Sequence, residues 1–212
     1  MRAVIFDWDG VLADSGEMYF LAYAKICELY KKRLPIDSKE GFRRWYNPAW
    51  ENNYLEMGFT RDEISEALAA TFRFVDYDRV AVYPHTDEVL KYLHDRDIPM
   101  AVLSTTPEET IRRRLRRENL ERYFTLIYGG EGDSSKDRRL ARLLEDLRCS
   151  GGIMIGDTHL DIQAGRVNRL KTVGTAYGWI TPERLQAANP DVLVLSPDKL
   201  LESVQQLLTS IE

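Results

Sequence analysis

The apolar run Ala3-Val4-Ile5-Phe6, broken at once by Asp7-Trp8-Asp9-Gly10, limits the fold of this chain more than any other stretch. A short apolar run bounded by a turn signal predicts a strand buried on both faces, and such strands belong to parallel sheets covered by helices. Side chains two apart on a strand share a face, so Asp7 and Asp9 are expected together, with Trp8 opposite. Paired carboxylates at the end of a buried strand repel each other and resist losing water. A cation or a shared proton relieves both costs. Gly10 permits a tight turn and leaves room for a ligand. The plainer alternative is that one of the two acids caps a following helix.

An all-helical stretch comes next. Residues 17–31 predict a helix that is apolar almost all round, with Lys25, Glu28 and Lys32 as its polar stripe. Pro35 ends that pattern, and residues 38–58 predict two short helices joined around Asn47-Pro48. Thr60 to Glu63 is a capping box, followed by Ile64, Ala67, Leu68, Thr71, Phe72 and Val75 at helical spacing.

From Val82 onward strands and helices alternate. Strands are expected at 99–104, 125–130, 152–157, 171–176 and 191–195. Thr86, Thr106-Pro107 and Ser196-Pro197 read as helix starts. The arginine-rich run 112–117 reads as a solvated helix face paired with nearby acids rather than a phosphate-binding patch. The pattern predicts an α/β fold: a three-layer, Rossmann-like parallel sheet with an inserted α-helical cap. Residues 1–14 and 81–212 are assigned to the core and 15–80 to the cap.

Composition narrows the function classes. At 212 residues, 44% hydrophobic and 30% charged, the chain has the make-up of a globular protein able to bury a substantial core. A net charge of −5 provides no electrostatic footprint for nucleic acid. No apolar run reaches membrane-spanning length, and the N-terminus shows no signal-peptide pattern, so the expected location is the cytoplasm and no membrane partner is expected. Cys27 and Cys149 are too few and too unpatterned for a disulfide framework or a zinc site.

In parallel sheets ligands bind at the carboxyl ends of the strands. Asp7 and Asp9 after the first strand, Ser104 and Thr105 after the second, and Asp157 after the fourth are all expected there. One acid at a strand end is ordinary, whereas acids and hydroxyls at three strand ends describe a site. Hard carboxylate oxygens suit Mg²⁺, with Asp7 and Asp157 as the natural side-chain ligands. Asp161, one helical turn beyond Asp157, can face the same site and orient its water; it is also a first-turn acid favoured by the helix dipole. A carboxylate that attacks phosphorus splits one hard displacement into two easier steps. A second acid then protonates the leaving oxygen and later activates water. The Asp7/Asp9 pair supplies one residue for each task. Ser104 and the backbone N–H of Thr105 can hold a phosphoryl oxygen. Lys136, opening a helix after Gly132-Asp-Ser-Ser, supplies the cation.

These motifs resemble those of the haloacid dehalogenase superfamily, most of all its phosphoglycolate phosphatase-like branch with a helical cap. DWDGVLADS resembles the first motif, VLST the second, Lys136 the third and GDTHLDIQAG the fourth. YPHTDEVLKYL and AYGWITPERL also match the general pattern. The resemblance implies a Mg²⁺-dependent phosphatase with Asp7 as nucleophile and Asp9 as acid/base, the Asp9 carbonyl also on the metal. It implies Ser104 and Lys136 as phosphate holders, and Asp157 and Asp161 on the metal side. Asp137 stands where a proline is usual, and Thr105-Thr106 where many phosphoglycolate phosphatases have Asn-Lys.

The expected partner is a small phosphorylated metabolite, and the expected assembly a monomer or homodimer. A sugar-phosphate mutase is the enzymatic alternative, but the cap histidine of those enzymes is replaced by Tyr19. A phospho-receiver domain or a catalytically inactive interaction protein is the non-enzymatic alternative. The former is shorter and uncapped, and in this chain every chemical position is filled. Arg43 and Arg44, set among Phe42, Trp45 and Tyr46, are candidates to grip a substrate carboxylate or second phosphate; the alternative is cap surface over aromatic packing. Tyr19 and Trp50 read as core residues.

Overall fold

The computed structural model describes residues 2–130 and 135–210. Six strands form one sheet in the order β3-β2-β1-β4-β5-β6, and every pair is parallel. They are β1 (Arg2–Phe6), β2 (Met100–Leu103), β3 (Leu126–Tyr128), β4 (Gly151–Gly156), β5 (Lys171–Thr175) and β6 (Val192–Val194). The N-terminal strand is central, flanked by β2 and β4. The strand order reverses beside β1, so the loops leaving β1, β2 and β4 diverge at its carboxyl end and open a crevice.

Alternation along β1 builds both layers. Val4 and Phe6 pack with α5 (Thr86–His94), α6 (Glu108–Arg117) and α10 (Leu200–Ser210), through Leu90, Leu93, Ile111, Leu115 and Val204. Ala3 and Ile5 face the opposite layer, where α7 (Lys136–Asp146) and α8 (His159–Val167) contribute Leu140, Leu143 and Ala164. Burial on both faces explains why the strand is an unbroken apolar run.

Between β1 and α5 lie α1 (Gly16–Leu29), α2 (Lys39–Trp45), α3 (Glu51–Glu56) and α4 (Arg61–Thr71), with α9 (Pro182–Gln186) the remaining helix of the described residues. The two short helices α2 and α3 flank Asn47-Pro48 as the sequence predicts. Asn53 pins that turn, accepting from the Asn47 N–H and donating to its carbonyl. The Thr60/Glu63 capping box starts α4. Tyr23, Ile26, Phe42, Tyr54, Met57 and Phe59 form the interior of this helical stretch, and the same cluster continues into Trp179, Ile180 and Leu185 beyond β5. Cys27 and Cys149 are free and buried.

Two expectations change. Thr106 does not cap α6; Pro107 precedes the helix and the Thr106 hydroxyl is used elsewhere. The arginine run divides in two. Arg112 and Arg116 pair with Glu108, Glu109 and Glu121 on the surface, as expected. Arg113, Arg114 and Arg117 grip the segment leading back from the helical stretch, through Asp78 and the Val80 carbonyl. Arg114 is buried, because its helix face lies against that segment.

Candidate active site

The sheet ends at Phe6, and a tight loop follows in which the Trp8 carbonyl accepts from the N–H groups of Leu12 and Ala13. Asp7 and Asp9 therefore lie past the strand, and strict alternation does not apply to them. Both line one cavity, but their carboxylates turn to different partners. Gly10 sits at φ +74°, and a Cβ there would lie 2.0 Å from Oδ2 of Asp157, so no other residue fits without displacing that carboxylate.

Asp7 accepts from the Trp8 N–H at 2.7 Å through Oδ1 and from Lys136 Nζ at 2.7 Å through Oδ2. Lys136 opens α7, which carries it inward from the loop after β3; the Gly132 to Ser134 part of its predicted motif lies outside the described residues. The same ammonium forms an ion pair with Asp161. Asp161 is fully buried at the start of α8, where its Oδ2 accepts from the N–H and hydroxyl of Thr158. Asp161 thus stands in the first turn of its helix, closes the capping box there, and lies beside Asp7 and Asp157. Asp157, at the end of β4, accepts from the Trp179 N–H at 2.6 Å.

Asp7, Asp157 and Asp161 each offer a carboxylate oxygen, all within 4.8 Å of one another and buried. Burial is the largest cause raising the Asp7 carboxyl to about 7; Lys136 opposes it and Asp161 adds to it. Burial, then Asp161 and Asp7, push Asp157 well above the usual carboxylate range. Burial works against the Lys136 charge, but Asp161 and Asp7 outweigh it and hold the ammonium above its ordinary value. Ionising all three carboxylates beside one ammonium would leave an excess of buried negative charge, which Asp7 and Asp157 resist by holding their protons to higher pH. Hard oxygens with that excess fit a divalent cation such as Mg²⁺.

Asp9 has a different surrounding. Ser15 Oγ (2.5 Å), Thr106 Oγ1 (2.6 Å) and Tyr77 OH (2.9 Å) all donate to it. Burial raises its pKa, and these hydroxyls oppose the rise. Behind them Trp179 Nε1 donates to Ser15 Oγ, and the Tyr19 hydroxyl lies 3.2 Å from that of Tyr77. Sequence reasoning missed Tyr77 and Thr106. Tyr77 is 68 residues from Asp9 in the chain, and only the return segment clamped by α6 brings it in.

Ser104 and Thr105 line the cavity at the end of β2, with Ser104 Oγ accepting from the Thr106 N–H. Arg139, one turn into α7, donates to the carbonyls of Ser104 and Tyr128 and joins the β2 and β3 ends. Its position on the lysine's helix was the available signal.

Arg43 and Arg44 do not join this group. The Arg43 guanidinium donates to the carbonyls of Ala176, Gly178 and Ile180, so its donors fasten α2 to the loop after β5. Arg44 is exposed and pairs with Glu40. Neither lines the cavity, which corrects their expected role as substrate grips. Arg184 reinforces the junction by donating to the carbonyls of Arg43, Arg44 and Tyr46. Tyr19 and Trp50, read as core, pack against the buried clusters and also line the cavity.

Residues 4–175 match the family model described as haloacid dehalogenase-like hydrolase. The chain belongs to that family. It is 27% identical to a phosphoglycolate phosphatase of Synechococcus elongatus, over 98% of this chain and 99% of that protein. A predicted phosphatase from Clostridium acetobutylicum superposes with a TM-score of 0.84 at 23% identity, covering 97% of this chain and 98% of the other. A candidate β-phosphoglucomutase from Thermotoga maritima superposes with a TM-score of 0.67 at 23% identity, covering 98% and 100%. At such identities these structures establish a shared fold. No helix of this hydrolase's described residues is long and apolar enough to cross a membrane.

Proposed function

We propose that this haloacid dehalogenase-like hydrolase is a Mg²⁺-dependent phosphatase that cleaves a small phosphomonoester through an aspartyl phosphate on Asp7. The observation that carries the reading is the buried Asp7–Lys136–Asp161 ion network next to Asp157, facing a cavity of about 620 Å³ between the sheet end and the inserted helices. Asp7 is held at one oxygen by the Trp8 N–H and at the other by Lys136, which fixes the attacking carboxylate. Lys136 and the Ser104 hydroxyl hold phosphoryl oxygens as charge redistributes. Asp9 protonates the departing alkoxide and then takes a proton from the water that attacks phosphorus, releasing Asp7 and phosphate. Magnesium, when bound by Asp7, Asp157 and the Asp9 carbonyl with Asp161 behind them, supplies the charge that offsets repulsion between carboxylate and phosphoryl group. We assign residues 15–80 to a cap that shields the reacting atoms from bulk water.

Hydrolysis is favoured over mutase chemistry because the family resemblance sets Tyr19 against the cap histidine of the mutases. The Tyr19 hydroxyl, held above its ordinary pKa by burial and then by Asp9, stays neutral. The test is phosphate release from a panel of small phosphomonoesters, with Mg²⁺, with chelator, and with Asp7→Asn. Release that needs Mg²⁺ and is lost in the variant is expected. No release from any ester by folded protein rejects the proposal.

A further inference from the structure

Among the described residues, the cations lining the cavity are Lys136 and Arg139, and both belong to the phosphate side. Lys136 is engaged by Asp7 and Asp161, and one Arg139 nitrogen serves three carbonyls. The opposite wall, formed by the inserted helices, is of another kind. Tyr19, Trp50 and Phe72 present open surface to the cavity, the buried rings of Tyr23, Tyr46 and Tyr54 back them, and Glu51 is the charged side chain among the described residues of that wall. The rings other than Phe72 form a continuous array: Tyr19 and Tyr46 each lie 4.7 Å from Trp179, Tyr19 lies 6.5 Å from Tyr23, Tyr23 5.6 Å from Tyr54, and Tyr54 6.0 Å from Trp50.

Resting on the phosphatase reading above, we infer that the group carried by the phosphate is an uncharged ring, not a carboxylate. A carboxylate against the inserted-helix wall would lose its water without gaining a cation among that wall's described residues, and would face Glu51. An uncharged ring gains apolar burial and edge or face contacts with the aromatic wall. A cavity of about 620 Å³ is also of the size that encloses a ring-bearing ligand, whereas phosphoglycolate would leave much of it to water. Arg43, whose guanidinium serves the loop after β5, is not available to reverse this preference.

Calorimetric titration of the Asp7→Asn protein with Mg²⁺ present separates this inference from turnover. The probes are phenyl phosphate, a hexose phosphate, a nucleoside monophosphate and phosphoglycolate. At least one ring-bearing ester is expected to bind roughly tenfold more tightly than phosphoglycolate, and the tightest identifies the ring type. Adding Trp50→Ala should cut that ratio by roughly two- to tenfold, and Phe72→Ala, at the exposed mouth, should shift it in the same direction. Equal or tighter binding of phosphoglycolate, no binding of any ester, or a ratio unmoved in both variants overturns the inference. Absence of phosphate release by the unsubstituted protein, with ring-selective binding intact, rejects the phosphatase reading alone.

Discussion

The two walls of the cavity are built on opposite principles. On the core side, three carboxylates stand at strand ends and a helix start, each fixed by a backbone N–H group, with an ion partner added at Asp7: Asp7 by Trp8 and Lys136, Asp157 by Trp179, Asp161 by Thr158. On the inserted-helix side, rings are held by packing against one another and against Trp179. Backbone-anchored charge suits a reaction common to many substrates, since its geometry does not depend on what fills the pocket. A wall of packed side chains is free to vary with the substrate. In the function proposed above, the first wall performs the chemistry and the second selects the molecule.

Substitutions on the core side should therefore cost activity far more than affinity. Asp7→Asn is expected to lower phosphate release at least about a thousand-fold. Asp9→Asn should lower kcat by about a hundred- to ten-thousand-fold, because one residue serves as acid and then as base. Steady-state kinetics with a fixed ester checks both, and a loss confined to KM would contradict the assignment.

The junction between the walls is the next point to break. Arg43→Ala removes a charged donor from three carbonyls and should cost about 2–3 kcal/mol, a drop of roughly 5–10 °C in Tm. The neighbouring Arg44→Ala should stay within about 0.5 kcal/mol, since that side chain is exposed and makes a surface pair. Equal melting temperatures for the two variants would remove Arg43 from the junction.

A smaller effect is expected at Tyr77, which reaches Asp9 from the segment clamped by α6. Tyr77→Phe removes one hydroxyl donor from the Asp9 carboxylate, so the Asp9 pKa should rise. The limb of the pH–rate profile that it governs should move to higher pH, with kcat lower by roughly three- to tenfold. A flat loss of activity with no movement of that limb would assign Tyr77 a purely structural part.

The smallest effect expected is on stability. The Asp7 carboxyl, raised to about 7 by burial, lends the metal-free fold stability that is fully present below the ordinary carboxylate range and lost as pH rises through about 7. Added Mg²⁺ should therefore raise Tm by a few degrees more near pH 8 than near pH 5. Asp157→Asn should abolish that difference; a Tm gain independent of both pH and Asp157 would place the cation elsewhere.

The core was legible because its signals are local. An apolar run followed by acids, a glycine and a helix start fixes a strand end without knowledge of the rest of the chain, and Asp7, Ser104, Lys136 and Asp157 all follow such runs. Long-range partners were not legible. Tyr77 and Thr106 reach Asp9 across 68 and 97 residues, and Thr106 next to Pro107 has the local appearance of a helix cap. Arg43 failed for the same reason: its acceptors are backbone carbonyls more than 130 residues away, which no side-chain pattern announces. Tyr19 and Trp50 were read as core because a ring in a helix looks alike whether it faces packing or a cavity.

The most direct test of the central claim is to find the phosphoryl group on Asp7. The enzyme, turning over a good ester with Mg²⁺, would be quenched and treated with borohydride, which reduces an acyl phosphate to an alcohol. Peptide mass spectrometry would then read residue 7. Homoserine at that position, dependent on substrate and on Mg²⁺, is the predicted result. Phosphate release with residue 7 unmodified, or with the modification on another carboxylate, would contradict Asp7 as the nucleophile.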